Sequence, residues 1–353
     1  RPALLSEGLY HPDGQILDEV YVYGSFVQSK MHAAGVRCSN CHEPHSLNLR
    51  AMDNGLCTQC HRETPVEQFP MLAPRIFDSP THHHHEPETP GALCVNCHMP
   101  ARTFMQVDPR RDHSFRVPRP DLSLSIGTPN ACTGCHADRT VRWAAEIVSG
   151  WSESQPPHHF ANLLAAGRAG QLEEHDELSA LVADTTQPAI VRATALELLR
   201  PFGQASLKVA RAALVDSDPL VRTVAIGGLE WLAPPARFIA LKPLLEDPSR
   251  SVRIEAARML AEAWNVEQTD TNDRSPVIEA AREYLAAQIV SADMPATHLN
   301  LGVIHQRQDA PRPAEAAYRT ALTLDPWFAP ARFNLANLLN SQRRNEEATT
   351  ILR

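Results

Sequence analysis

Four stretches of this 353-residue chain repeat one five-residue pattern: Cys38-Ser39-Asn40-Cys41-His42, Cys57-Thr58-Gln59-Cys60-His61, Cys94-Val95-Asn96-Cys97-His98 and Cys132-Thr133-Gly134-Cys135-His136. Together they use all eight cysteines. C-x-x-C-H is the attachment signal of c-type haem. Two thiols add across the porphyrin vinyl groups, and the adjoining imidazole is then close enough to ligate the iron. On this reading Cys38, Cys41, Cys57, Cys60, Cys94, Cys97, Cys132 and Cys135 carry four covalently bound haem c groups. His42, His61, His98 and His136 are the proximal iron ligands. Zinc and disulfides are the rival chemistries. Cys41 and Cys57 enclose fifteen residues, a spacing that a four-cysteine zinc site also takes, and exported proteins keep disulfides. Neither rival needs a His behind each second Cys. With 17 His in the chain, four such coincidences have a chance of about five in a million.

The sixth iron position decides what such a haem does. A second protein ligand confines it to passing electrons, whereas an open position admits small-molecule chemistry. His45 lies three residues past His42, too near to reach the far face of the same haem, so it would serve a neighbour. His32 and His11 stand in the lead-in and would serve a haem of this chain or one outside it. Met99 and Met105 have the chemistry for axial ligation, but Met is more often core filler. The chain has no C-x-x-C-K variant and no recognisable catalytic cluster. An electron carrier is therefore expected, the alternative being an oxidoreductase of the nitrite- or hydroxylamine-processing kind with one open-site haem.

The elements that must hold these residues differ along the chain. Tyr10-His11-Pro12-Asp13-Gly14 is turn chemistry, and the amphipathic stretch Ile16 to Val27 predicts a short helix leading to the first motif. Residues 35–140 lack long periodic segments. Thirteen prolines fall between Pro12 and Pro129, and Trp is absent from that stretch. Such a sequence cannot bury enough apolar surface by itself. Four haems would supply it, with short helices after each motif and loops over the porphyrin faces. Val141 to Val148 has helical spacing and is expected to extend from the His136 region. Gln155-Pro156-Pro157-His158-His159 reads as a linker.

Beyond it lies a repeat of about thirty residues. Pro188 to Ala195, with Val191-Arg192, is echoed by Pro219 to Ala225, with Val221-Arg222, and by Pro248 to Ala256, with Val252-Arg253. The Arg-to-Arg steps are 30 and 31 residues. This resembles HEAT-like helix pairs. A second period of 34 follows. Counted from Pro295, Leu301-Gly302, Ala314, Tyr318, Ala321 and Pro326 occupy tetratricopeptide signature positions, and Leu335, Ala336 and Ala348 continue them. The polar residues 267–275 interrupt this register. The last repeat stops at Arg353 before its second helix is finished, so either the chain continues or a partner covers that end. The expected fold is therefore mostly α: a loop-rich multihaem cytochrome c module over 1–150, HEAT-like repeats over 151–265 and tetratricopeptide repeats over 266–353.

Composition narrows the partners. The net charge of −8 argues against nucleic acid. No apolar run reaches the roughly 18 residues of a membrane-spanning helix. The 33 basic residues include only Lys30, Lys208 and Lys242, the rest being Arg. Arg pairs bidentately with carboxylates such as haem propionates, although the excess persists beyond residue 140 and also suits a codon bias. Haem c is attached outside the cytoplasm, so the product is expected to be exported, periplasmic or extracellular. The opening Arg1-Pro2 suggests a mature form or a fragment.

Five segments carry a family resemblance. They are Asp18-Glu19-Val20-Tyr21 through Gly24-Ser25-Phe26, Gly35-Val36-Arg37-Cys38, Cys41-His42-Glu43-Pro44-His45-Ser46, Cys97-His98-Met99-Pro100-Ala101-Arg102 and Asp108 to Phe115. The chain resembles the tetratricopeptide-repeat-containing multihaem cytochromes c, exported bacterial proteins with a doubled C-x-x-C-H domain. The resemblance implies His113 as a distal ligand. It also implies distal ligands within His82-His83-His84-His85, which looks like the H-x-x-H preceding C-x-x-C-H-M-P in related cytochromes, with His85 and His82 favoured. Relatives commonly carry further motifs upstream, which leaves room for further haems. Electron transfer through closely spaced, mostly bis-His haems is the expected role. The repeats would dock a redox partner protein or another copy, as a homo-oligomer or an extracellular filament.

Overall fold

The computed structural model describes residues 4–64, 66–151, 158–170, 175–264 and 275–353. The linker at 155–157 and the polar stretch 267–274 lie outside the described residues. The chain is mostly helical, and it divides into two compact units, Arg1–Phe202 and Gly203–Arg353.

In the first unit the lead-in is fastened to helices late in the sequence. The Leu5 amide donates to Thr194 Oγ1 (3.0 Å), and the Arg168 guanidinium donates to the carbonyls of Leu5 and Tyr10 (2.7 and 2.9 Å). The helix expected from Ile16 is shorter, Val22–Phe26, followed by Lys30–Ala33. Ile16 instead forms a bridge to Tyr10, and the Leu17 amide bonds back to Leu9. Those backbone groups are spent on the lead-in turn and cannot start a helix.

The cysteine motifs lie in short helices of their own: Cys38–Cys41, Gly55–Thr58, Cys94–His98 and Ala131–Cys135. Helices were expected after each motif; three of them instead span both cysteines of a motif, and Gly55–Thr58 takes in Cys57 and ends before Cys60. One turn places i and i+3 on one face, which is what two thiols need to reach one porphyrin edge. Val141–Gly150 is a separate helix, capped by Thr140, whose Oγ1 accepts from the Trp143 amide at 3.1 Å.

A two-stranded hairpin, Ala101–Phe104 with Asp108–Arg111, pairs Ala101 with Arg111 and Phe104 with Asp108. Met105 and Gln106 both take positive φ (50° and 66°), and the Val107 amide closes onto the Phe104 carbonyl. This is the mirror-image turn that suits strand twist. The unit ends with helices Phe160–Arg168, His175–Ala183 and Ala189–Leu198.

The second unit is a succession of helices, among them Leu207–Ala213, Pro219–Gly227, Pro234–Leu241, Arg250–Met259 and Pro276–Ile289. Several open with Pro in the first turn, where its missing N–H costs nothing. Asp218 caps Pro219–Gly227 by accepting from the Leu220 amide at 2.8 Å. The repeated arginines form a ladder. Arg222 makes a bidentate pair with Asp247 (2.8 and 2.8 Å) and Arg253 one with Glu283 (2.8 and 2.7 Å). Each also donates to the loop before its own helix, Arg222 to the Asp216 carbonyl and Arg253 to the Asp247 carbonyl. The 31-residue spacing of Arg222 and Arg253 is thus a structural device linking successive helices.

Helices Pro295–Arg307, Pro311–Leu324, Ala329–Ser341 and Asn345–Leu352 complete the unit. Ala314, Tyr318, Leu335, Ala336, Leu338, Leu339 and Ala348 form one buried cluster there. A Cβ on Gly302 would strike the Tyr318 ring, so the helix pair needs glycine at that crossing.

Candidate functional site

All eight cysteines are free thiols. They adjoin one another in chain order. Cys41 has its pKa raised by burial and by the nearby Cys60 and Cys38 thiols. The hydrogen bond that joins the Cys57 and Cys94 thiols raises Cys57, with burial adding to it, and lowers Cys94. Burial raises Cys97, with Cys132 and Cys135 next in effect. The first motif therefore neighbours the second, the second the third, and the third the fourth.

The joint between the second and third motifs is made by Asn54. Its side-chain nitrogen donates to the Ala92 carbonyl (2.9 Å) and to Asp78 Oδ1 (2.8 Å), while its oxygen accepts from the Cys94 amide (2.9 Å). One residue at the start of the second motif helix thus fixes the start of the third. Nothing in the sequence around Asn54 marked it.

Three of the four motif histidines stand opposite a second imidazole. His42 and His113 have ring centres 6.4 Å apart with planes at 26°. His98 and His82 are at 6.1 Å and 6°, and His136 and His85 at 6.0 Å and 28°. Two metal–imidazole bonds of about 2 Å, with half the depth of each ring behind them, span roughly 6 Å. Each gap has the width for one metal atom between two ring nitrogens.

Hydrogen bonds orient these rings. The Nδ1 of His42 bonds the Leu47 carbonyl (3.1 Å), that of His98 the Arg116 carbonyl (2.6 Å), that of His113 the Arg111 carbonyl (2.9 Å) and that of His85 the His83 carbonyl (2.5 Å). A carbonyl only accepts, so Nδ1 carries the proton and Nε2 keeps its lone pair for a metal. Thiols on one face of a helical turn, a following imidazole, and a second imidazole across the gap are the donor set that haem c requires. The residues present fit that group.

The partners come from two segments. The hairpin returns the chain from the third motif, so that His113 arrives opposite His42. Its last strand residue, Arg111, holds the third motif helix by donating to the carbonyls of Val95 and Met99 (3.1 Å each) and to Asn96 Oδ1 (3.1 Å). The second segment is the histidine run. His82 lies in a one-turn helix, Pro80–His83, and His84 takes a left-handed φ of 55°. That reversal sends His85 to the fourth motif while His82 meets the third. His84 itself stacks on Trp151 at 4.1 Å and 11°.

The remaining candidates lie elsewhere. His45 is exposed on a turn pinned by Glu43, whose carboxylate accepts from the His45 and Ser46 amides (2.9 and 2.7 Å). Its proximity to His42 in sequence does not carry the ring to any motif histidine. His32 packs edge-on against Phe26. His11 receives Arg102 on Nε2 (3.2 Å), which occupies the nitrogen a metal would need, and burial lowers its pKa. Met105 is 72% exposed at the hairpin turn. His61 meets the edge of Phe77 (5.7 Å, 84°) in place of an imidazole. Phe77 carried no signal in the sequence.

Among the described residues no group of three or more His, Cys, Asp or Glu side chains is arranged to hold a metal ion.

A family model for the doubled CXXCH motif matches residues 31–66, and one for HEAT repeats matches residues 176–261. No curated protein and no solved structure gives a significant match. No helix among the described residues is long and apolar enough to cross a membrane. The doubled CXXCH motif points to covalently bound haem c and to a haem-binding protein of the cytochrome c type, a class that is generally exported.

Proposed function

We propose that the chain is a tetrahaem electron-transfer protein of the periplasm or the cell exterior, with one haem c on each of its four motifs. The observation that carries this reading is the set of three opposed imidazole pairs. On it, His113, His82 and His85 are the distal ligands to the irons held by His42, His98 and His136. When bound, the haems supply reversible one-electron chemistry. The chain's own residues do the rest. The eight thiols tether, the Nδ1–H bonds to backbone carbonyls lock each ring, and Asn54 and Arg111 fix one motif helix against another. Because successive motifs adjoin, electrons pass in the order of the sequence, from first motif to fourth or the reverse.

The helix pairs from residue 176 onward carry this module to a redox partner protein. Within them, residues 295–353 are read as tetratricopeptide repeats, supported by Gly302 against Tyr318 and by the burial of Ala314, Ala321, Leu335, Ala336 and Ala348. Intact mass with haem quantitation is expected to give four haems per chain. Replacing His113 with Ala is expected to convert one low-spin haem to high spin in the electronic and paramagnetic spectra. Fewer than four haems, or an unchanged spectrum in H113A, overturns the assignment.

A further inference from the structure

The second motif differs from the other three in what its histidine faces. The Phe77 ring stands edge-on to His61 and also edge-on to His82, at 5.2 Å and 87°. A phenyl ring has no lone pair to give a metal. Three further histidines are engaged elsewhere, and the ring of the exposed His45 meets no motif histidine. His83 accepts the His85 amide on Nδ1 (3.2 Å), His84 lies on Trp151, and His159 caps Phe160–Arg168 through the Ala161 amide (3.2 Å). Among the described residues no imidazole is in ring contact with His61. His98 is near enough to discourage a proton on His61, second to the effect of burial, but its own ring is paired with His82.

Beside His61 the surface opens into a cleft of about 390 Å³. Its lining includes Thr58, Arg62, Glu63, Phe77 and Asp78. Two carboxylates outnumber the single cation, and Arg62 turns its Nε to the Thr64 carbonyl (3.0 Å). An anion gains little there, and the apolar face comes from Ile76 and Phe77. A small uncharged molecule fits this chemistry better than an anion does.

We propose that the haem on Cys57 and Cys60 receives no second ligand from this chain and binds a small neutral diatomic molecule, with Phe77 closing it off from the third site. The proposal rests on the tetrahaem reading above and names which of the four sites is open. The test uses the complete four-haem protein, reduced with dithionite and titrated with carbon monoxide. The expected result is one carbon monoxide per four haems and, in the oxidised resting protein, a high-spin signal from one haem in four. Phe77→His places an imidazole where the phenyl stands. It is expected to abolish carbon monoxide binding and the high-spin signal without loss of haem. His113→Ala, which opens the first site, is expected to raise the stoichiometry to two. Four low-spin haems that ignore carbon monoxide overturn the proposal and leave electron transfer intact. Binding that persists unchanged in F77H also overturns it, because the open site then lies elsewhere. A haem count below four overturns the underlying reading instead.

Discussion

The motif region and the helical repeats solve the problem of cohesion in opposite ways. Between Cys38 and Cys135 the only buried apolar side chains among the described residues are Phe69, Ala92, Phe104, Pro120 and Leu122. The second unit buries Ile226, Leu229, Leu241, Val252, Met259, Tyr284, Tyr318 and Leu335, each at most 2% exposed, along with many alanines. Its helices are eight to fourteen residues long in the main, while those over the motifs have four or five. Helices that short are not stable in isolation. The repeats therefore hold together by side-chain packing, and the motif region by whatever its cysteines and histidines bind. The two halves of the chain depend on different chemistry.

The largest effect follows from removing the haem-dependent half of that contrast. Chain produced without haem attachment is expected to lose protection across residues 38–136 in hydrogen exchange while the repeats from 207 onward stay protected. Equal protection in both regions would break the comparison. A smaller effect belongs to the packed half. Leu335→Ala is expected to cost about 3 kcal/mol and to lower the melting temperature of the repeats by roughly 10 °C, with no change in the haem spectrum.

The smallest effect concerns the arginine ladder and its pH dependence. Burial opposes ionisation of Asp247, but hydrogen bonds from Arg222 and from the Ser249 amide outweigh it and lower its pKa. Glu283 is lowered by Arg253. A carboxylate lowered on folding contributes stability that is present above its unfolded pKa of about 4 and lost as pH falls through the folded value. Arg222→Ala is thus expected to cost about 2 kcal/mol at pH 7. Below about pH 4 the difference from the parent chain should shrink, as denaturant titrations at both pH values would show. A gap that stays constant with pH would mean that packing of the Arg stem, and not the ion pair, is what the ladder supplies.

What could be read from the residues follows the same division. Periodicity located the helices that start at Pro219 and Pro295, because local propensity and burial agree there. The motif cysteines were equally plain, since their spacing is set by covalent chemistry. The partner of each imidazole was harder to see, because it depends on turns without turn residues. Met105 and Gln106 take positive φ where Asn-Gly would have announced a hairpin, and that hairpin decides where His113 arrives. His84 reverses the chain in the middle of four identical residues. The helix expected from Ile16 starts only at Val22 because a local bridge between Tyr10 and Ile16 overrode amphipathic spacing. His45 sits on an exposed turn whose backbone amides are held by the Glu43 carboxylate, a local arrangement that spacing alone did not announce.

Asn54 has a consequence for how this architecture tolerates change. Cys60 and Cys94 are separated by more than thirty residues of chain, yet the distance between their two motif helices is set by the bonds from Asn54 to Ala92 and Cys94. Insertions or deletions within residues 66–74 would alter the contour length between the motifs without altering the separation of the two motif helices. Spacing and loop length are uncoupled at that joint. The loop can diversify while one amide side chain keeps the two helix starts together.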